Sequence, residues 1–219
     1  MTEIRAVISD FGGVLTSPLL HSFAAYQDSS GISVEALGNA MVRIAEADGA
    51  HPLFELETGR LSEAEFLARM GRELTAELGR EIELHGFAEA YFGQLDPNED
   101  LLEYMRSLRD RGLRMAVLTN NVREWQPLWR PVFPIDEIFE LVVDSGFVGM
   151  RKPDREIYEL TLERLGLRAE ECLFIDDTEI NVDVARELGM AAVHFRTSEQ
   201  AIAEIEKALD GAQPASSSG

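Results

Sequence analysis

The chain has 219 residues, of which 45% are hydrophobic, so it is long enough to fold around one large hydrophobic core. Its 40 acidic and 20 basic residues give a net charge of −20, which argues against nucleic acid as a partner, because nucleic acid is bound by basic surfaces. No apolar run is long enough to cross a bilayer, no signal-type segment opens the chain, and the single cysteine excludes an internal disulfide. We therefore expect a cytoplasmic protein that contacts neither membranes nor nucleic acid.

Short, nearly continuous apolar runs recur along the chain and are typical of strands covered on both faces. The helical patterns between them end in glycine, a common signal for the C-terminus of a helix. Alternation of strand and helix predicts an α/β fold with a doubly wound, Rossmann-like parallel sheet. The predicted strands are residues 6–9, 114–119, 138–145, 171–176 and 190–195, and the predicted helices between them are 98–112, 154–166 and 178–189.

A long insertion without a convincing strand interrupts this alternation after the first strand. Its apolar residues follow a helical period, and Ser62 with Glu65 fits a capping box at the start of one helix. An insertion of this length in an α/β unit is usually functional and often covers the site as a lid. The predicted parts are an α/β core of residues 1–17 and 96–210, a helical cap of residues 18–95 with helices at 33–47, 62–78 and 84–95, and a disordered tail of residues 211–219.

Polar residues stand at the carboxyl ends of the predicted strands, where open parallel sheets bind their ligands. Crowded carboxylates repel one another unless a hard cation neutralises them, and oxygen ligands suit Mg²⁺. A hydroxyl, backbone N–H groups and a lysine can hold phosphate oxygens, and a free carboxylate can attack phosphorus. The pattern therefore indicates phosphoryl transfer by Asp10, Thr119, Asn120, Lys152, Asp176 and Asp177.

Four blocks of sequence, "DFGGVLT", "VLTNN", "GMRKPDREIY" and "CLFIDDTEINVDVARELGM", resemble the haloacid dehalogenase (HAD) superfamily in content and order. The resemblance implies a HAD core with a helical cap that sets specificity, and a Mg²⁺-dependent phosphohydrolase acting on a small phosphorylated metabolite. It implies that Asp10 forms an aspartyl-phosphate. It assigns phosphate binding to Gly12, Gly13, Thr119, Asn120 and Lys152, Mg²⁺ binding to Asp10, Asp176, Asp177 and the carbonyl of Gly12, and support of the metal loop to Asn181.

Position 12 departs from the common phosphatase pattern of this superfamily. Gly12 stands where most members carry a second aspartate, which protonates the leaving group and activates water. Members with a D-x-G start that resemble bacterial sugar-phosphate phosphatases act without it, and the dehalogenases of the superfamily also lack it. Two alternatives to a phosphohydrolase therefore stay open: a 2-haloacid dehalogenase, and a non-catalytic HAD module that binds without turnover.

Several other residues have a functional interpretation beside an ordinary structural one. Cap histidines could reach the site and replace the missing acid, and tryptophans near the second block could line the substrate pocket. A cysteine at the start of a buried strand is expected to be a core residue. The histidines are His21, His51, His85 and His194, with the first two in the cap; the tryptophans, for which packing is favoured, are Trp125 and Trp129; the cysteine is Cys172.

Overall fold

The centre of the molecule is a five-stranded parallel sheet with the order β3-β2-β1-β4-β5. The computed structural model describes residues 2–17, 27, 31–84, 86–93 and 95–212. The predicted doubly wound parallel α/β fold is confirmed, because each strand pairs in parallel with its neighbour. The strands are β1 (Ala6–Ser9), β2 (Arg114–Thr119), β3 (Leu141–Asp144), β4 (Cys172–Asp176) and β5 (Ala191–His194).

Strand β1 shows why the apolar runs of the sequence are continuous. Val7 packs into one hydrophobic cluster together with residues of the cap, whereas Ala6 and Ile8 pack into a second cluster on the other face. Alternate side chains of a strand point to opposite faces, so a strand covered on both sides needs apolar residues at every position. All of β1 is therefore buried.

The cap is helical in the residues that the structure describes. Ser62 and Glu65 form the predicted capping box, in which the Glu65 N–H donates to Ser62 Oγ (3.3 Å) and the Ser62 N–H donates to Glu65 Oε2 (3.2 Å). The antiparallel bridge between Thr16 and Pro97 holds the two linkers of the cap side by side. The cap helices are α1 (Val34–Asp48), α2 (Pro52–Glu57), α3 (Glu63–Leu78) and α4 (Phe87–Phe92).

Helices on both faces of the sheet complete the core. None of the helices in the described part of the chain is long and apolar enough to cross a bilayer. Three of them coincide with predicted helices to within a few residues. The core helices are α5 (Glu99–Asp110), α6 (Gln126–Trp129), α7 (Ile135–Ile138), α8 (Ser145–Val148), α9 (Arg155–Leu165), α10 (Glu179–Glu187) and α11 (Ser198–Ala212).

Four segments differ from the sequence-based expectation. The predicted strand 138–145 is too long, because Ile138 ends α7 and the Asp144 side chain accepts from the Gly146 N–H (2.9 Å) to start α8. The predicted cap helix 84–95 is reduced to α4, and helix α2 was not predicted. Helix α11 was not predicted either, and its end at Ala212 overlaps the expected tail, of which residues 213–219 lie outside the described residues.

Candidate active site

The site lies where the strand order reverses, beside the central strand β1. Ser9 of β1 is in register with Ile175 of β4, and the Asp10 N–H donates to the carbonyl of Ile175 (2.8 Å). This register brings Asp10 and Asp176 to neighbouring positions at the carboxyl edge of the sheet. Ligands of open parallel sheets bind at this kind of switch point.

Lys152 connects these two carboxylates. Its Nζ lies 2.7 Å from Asp10 Oδ1 and 2.6 Å from Asp176 Oδ2, and the residue is only 2% exposed. Burial acts to lower the pKa of Lys152, but the two carboxylates outweigh burial and raise that pKa above its ordinary value. The lysine is therefore a fixed positive charge between the first and fourth strands.

The side chain of Asn120 holds the backbone of this lysine. Asn120 Nδ2 donates to the Lys152 carbonyl (2.9 Å), and the Lys152 N–H donates to Asn120 Oδ1 (2.8 Å). The sequence interpretation placed Asn120 at the phosphate. Its side-chain amide is instead engaged in placing Lys152, so a phosphate contact from this residue would use its backbone.

Asp176 is fully buried and has its oxygens satisfied from several sides. Its Oδ1 accepts from the Thr178 N–H (2.8 Å) and from Asn181 Nδ2 (3.0 Å), which also lies 3.1 Å from Oδ2. The carbonyl of Asn181 in turn accepts from the Tyr158 hydroxyl (3.1 Å). Asn181 therefore supports the loop after β4, where the sequence interpretation placed it.

Three carboxylates at this edge form a cluster suited to a hard cation. One oxygen from each of Asp10, Asp176 and Asp177 lies within 4.8 Å of the others. Burial raises the pKa of Asp10 to about 7, against the opposing effect of Lys152, and burial followed by repulsion from Asp176 raises the pKa of Asp177. Lys152 alone thus does not offset burial and repulsion at Asp10 and Asp177, and an all-oxygen donor set fits Mg²⁺.

The turn after Asp10 needs glycine at position 13. Gly13 has φ 78°, and a Cβ built there would lie 2.4 Å from Asp177 Oδ2. Left-handed backbone and this close approach both disfavour a larger residue, because its side chain would displace Asp177. Gly12 is not among the glycines with positive φ, so the backbone angle does not explain the absence of an aspartate at position 12. The Phe11 N–H donates to Asp10 Oδ1 (2.7 Å) and fixes the carboxylate.

Thr119 is buried at the end of β2, the strand that pairs with β1, and is in register with Asp144 of β3. Asp144 was not singled out in the sequence, because the predicted strand 138–145 continued past it. Its Oδ2 is buried without a hydrogen-bond partner among the described residues, and burial raises its pKa to about 6. A buried, partly unsatisfied acid therefore lies next to the predicted phosphate-binding threonine.

The remaining candidates are placed as follows. The packing role of Trp129 and the core role of Cys172 are confirmed, since both are fully buried, and Trp129 lies 4.9 Å from the Phe11 ring. His194 Nε2 lies 3.0 Å from the carbonyl of Asp177, a contact that the sequence did not predict.

Trp125 is 7% exposed and donates from Nε1 to Glu63 Oε1 of the cap (2.6 Å). His21 and His85 lie outside the described residues.

At the cap helix α2, the sequence analysis considered His51 but missed Glu57. His51 stands at the start of α2, stacks on Phe54 with ring centroids 4.4 Å apart, and has its pKa lowered by burial and by Arg151. Glu57, at the end of α2, pairs with Arg151 at 2.8 Å. This contact joins residues 94 positions apart in the sequence, so no local pattern could reveal it.

A family model for haloacid dehalogenase-like hydrolases matches residues 4–189. Phosphatase MT3486 from Mycobacterium tuberculosis is 30% identical over 69% of this chain and 72% of its own length. Acyl-CoA dehydrogenase family member 10 from Mus musculus is 29% identical over 94% of this chain. The chain spans 19% of the length of that mouse protein and no more than 38% of two further mammalian relatives.

A solved structure with the same fold carries the ligands that the site suggests. HAD family enzyme bt-2542 from Bacteroides thetaiotaomicron, in complex with magnesium and inorganic phosphate, superposes with a TM-score of 0.63 at 24% identity, covering 88% of this chain and 94% of that chain. At 24% identity this likeness shows the fold alone. The family model and the mycobacterial phosphatase match this chain in its sequence. Since the model spans most of the chain and the switch-point residues fit it, the chain belongs to the haloacid dehalogenase-like hydrolases.

Proposed function

We propose that this hydrolase is a Mg²⁺-dependent phosphatase of a small phosphorylated metabolite and that Asp10 is its nucleophile. The observation that carries the proposal is the ion-pair arrangement at the switch point. Lys152 Nζ bridges Asp10 Oδ1 and Asp176 Oδ2, while Asp177 completes a three-carboxylate cluster. This set combines a nucleophile, a cation for phosphoryl oxygens and the ligands for a metal.

The contacts of Asp10 indicate which oxygen attacks. The Phe11 N–H and Lys152 Nζ both contact Oδ1, so we assign the attack on phosphorus to Oδ2. The new bond joins Oδ2 to phosphorus, and the bond from phosphorus to the ester oxygen breaks. Water then attacks phosphorus, releases inorganic phosphate and restores the carboxylate.

The phosphoryl group would be held by two side chains, one at the end of β2 and one in the loop after α8. Thr119, buried at the end of β2, offers its hydroxyl, and Lys152 offers its ammonium group. Asp10, Asp176, Asp177 and the carbonyl of Gly12 would hold Mg²⁺. The metal, when bound, would neutralise charge on the phosphoryl oxygens and screen the carboxylates from one another.

Gly12 determines which leaving groups we expect. General acid–base assistance is worth about 10²–10⁴-fold, and glycine cannot provide it. Leaving groups of low pKa need least protonation, so we propose that aryl, anomeric or acyl phosphates are hydrolysed faster than phosphates of primary alcohols. The phosphatase among the relatives and the magnesium and phosphate bound by bt-2542 support the reaction class.

A screen of the purified protein against phosphate esters, with Mg²⁺ or with EDTA, tests the proposal. We expect Mg²⁺-dependent phosphate release that Asp10→Asn abolishes. EDTA-insensitive halide release from 2-haloacids would replace the proposal with the dehalogenase alternative. Mg²⁺-dependent stabilisation without turnover of any ester would favour the non-catalytic module.

A further inference from the structure

One ion pair joins the cap to the loop that carries Lys152. Glu57 Oε2, at the end of α2, lies 2.8 Å from Arg151 Nε. The two side chains are only 14% and 16% exposed, which makes this the most buried pair among the described residues apart from those of Lys152. A pair so shielded from water is held much more firmly than an exposed one.

The same helix contacts the guanidinium group a second time. The Cζ atom of Arg151 lies 3.8 Å from the centroid of the Phe54 ring. Phe54 and Glu57 are three residues apart, so they lie on one face of α2. Arg151 is thus held by a charge and by an aromatic face of the cap.

Arg151 immediately precedes Lys152, whose surroundings otherwise belong to the core. Asn120 fixes the Lys152 backbone, and Asp10 with Asp176 fixes its ammonium group. A change in the position of α2 can therefore be transmitted through Arg151 to Lys152. Burial raises the pKa of Glu57, and the positive charges of Arg151 and Lys152 oppose that rise.

We propose that Arg151 and Glu57 are positioning residues, which seat the cap helix α2 on the loop before Lys152 and thereby hold that lysine ready for a phosphoryl group. The inference rests on the proposed phosphatase function and adds to it the cap contact that acts on the phosphate site. Neither residue needs to touch the substrate. When the pair is broken, the cap can still fold, but Lys152 is less well placed.

The test compares Glu57→Gln, Arg151→Gln, the double variant and the charge exchange Glu57→Arg with Arg151→Glu. We expect each single variant to lower kcat/KM for an aryl phosphate by roughly 10–100-fold, the loss that displacement of about 1 Å can cause. The inhibition constant of inorganic phosphate should rise in parallel. The double variant should be no worse than the poorer single variant, and the exchange should recover part of the loss.

Arg155→Gln is the matched control. Arg155 follows Lys152 by three residues, and its pair with Glu187 is long (3.6 Å) and exposed. We expect this variant to keep the wild-type kcat/KM and inhibition constant. Hydrogen exchange of the loop around residues 149–153 gives a further readout, because it should accelerate in Arg151→Gln and not in Arg155→Gln.

The outcomes separate this inference from the proposed function. Single variants that melt at lower temperature yet keep kcat/KM and phosphate inhibition would overturn the inference, since the pair would then stabilise the fold only. Additive losses in the double variant would also overturn it, because two residues acting through one contact are not additive. A wild-type protein that hydrolyses no phosphate ester would overturn the proposed function together with the inference.

Discussion

The two sides of the active site are built in different ways. On the core side, strand register places Asp10 beside Asp176, and both are buried among hydrogen-bond partners. On the cap side, a helix of six residues reaches the core through the long side chain of Glu57. The core arrangement can change little without loss of the sheet, whereas the cap contact can change by one substitution. The cap and the core are therefore joined here by a contact that can be replaced without changing the strand register.

The rest of the cap supports this contrast. The cap pairs Arg43 with Glu73 and Arg69 with Asp48 have side chains that are 37–44% exposed. Exposed pairs of this kind contribute about 0–1 kcal/mol each. These pairs join cap helices to one another, whereas the pair of Glu57 with Arg151 joins the cap to the core and is shielded from water.

Loss of the nucleophile should have the largest effect. Asp10→Asn retains the size of the side chain but cannot attack phosphorus, so kcat should fall by at least about 10⁴-fold. The melting temperature without metal should hold or rise, because one of the clustered carboxylates is neutralised. Asp144→Asn, which neutralises another buried acid at a strand end, should keep its activity. Equal losses of activity in Asp10→Asn and Asp144→Asn would indicate that neutralising a buried acid lowers activity in general.

Removal of the buried lysine should lower stability as well as remove the cation that the proposed reaction uses. Lys152→Met leaves Asp10 and Asp176 without their counterion, and breaking such a pair costs about 3–5 kcal/mol. Urea unfolding in EDTA measures this loss, and Mg²⁺ should restore part of it. Arg155→Met, which breaks an exposed pair, should change stability by no more than about 0.5 kcal/mol. An equal loss of stability in Lys152→Met and Arg155→Met would contradict the expectation that breaking a buried ion pair costs more than breaking an exposed one.

Asp144 should make stability depend on pH. Its pKa is raised from 3.8 to about 6 in the folded state, so the native protein binds the proton more tightly than the unfolded chain does. The free energy of unfolding should therefore fall as pH rises from about 4 to about 6, by up to about 3 kcal/mol from this group. Unfolding curves of Asp144→Asn should show a weaker fall over this window, because asparagine does not titrate but can still accept from the Gly146 N–H. Parallel pH profiles for the two proteins would rule out this role of Asp144.

The two glycines of the first turn should respond differently to alanine. Gly13→Ala forces a side chain into left-handed backbone against Asp177, so it should cost about 1–2 kcal/mol and weaken Mg²⁺ binding. Gly12 lacks the positive φ, so Gly12→Ala should change stability by less than about 1 kcal/mol. Thermal melts with and without Mg²⁺ compare the variants. A larger loss at position 12 would show that this position, too, is sterically restricted.

The core could be predicted from the sequence because its signals are local. The runs at 6–9 and 114–119 match β1 and β2, since burial on both faces leaves a continuous apolar pattern. The polar residues that follow the strands were therefore expected to meet at one edge of the sheet. Asp10, Lys152 and Asp176 do lie in contact there. In contrast, helix α2 is too short to show a period, and α8 depends on a side-chain cap at Asp144. Ala201, Ile205 and Leu209 of α11 do recur every four residues, so that helix had a readable signal.

The contact between Glu57 and Arg151 marks the limit of such a prediction. Its partners belong to different parts of the chain, and neither lies in a motif that fixes the position of the other. Register can be inferred between strands because a sheet has few possible orders, but the place where a cap helix meets the core has no comparable rule. A structure is needed to identify which cap residues act on the phosphate site.

The central claim is that Asp10 carries the phosphoryl group, and rapid-quench kinetics on an aryl phosphate with Mg²⁺ test it most directly. Because Gly12 cannot activate water, hydrolysis of the aspartyl-phosphate should be the slow step. We expect a burst of phenolate equal to the enzyme concentration, with a phosphoryl group on the acid-quenched peptide that contains Asp10. Gly12→Asp should shrink the burst by accelerating the second step. Steady turnover that leaves Asp10 unmodified, and that continues in Asp10→Asn, would contradict the account.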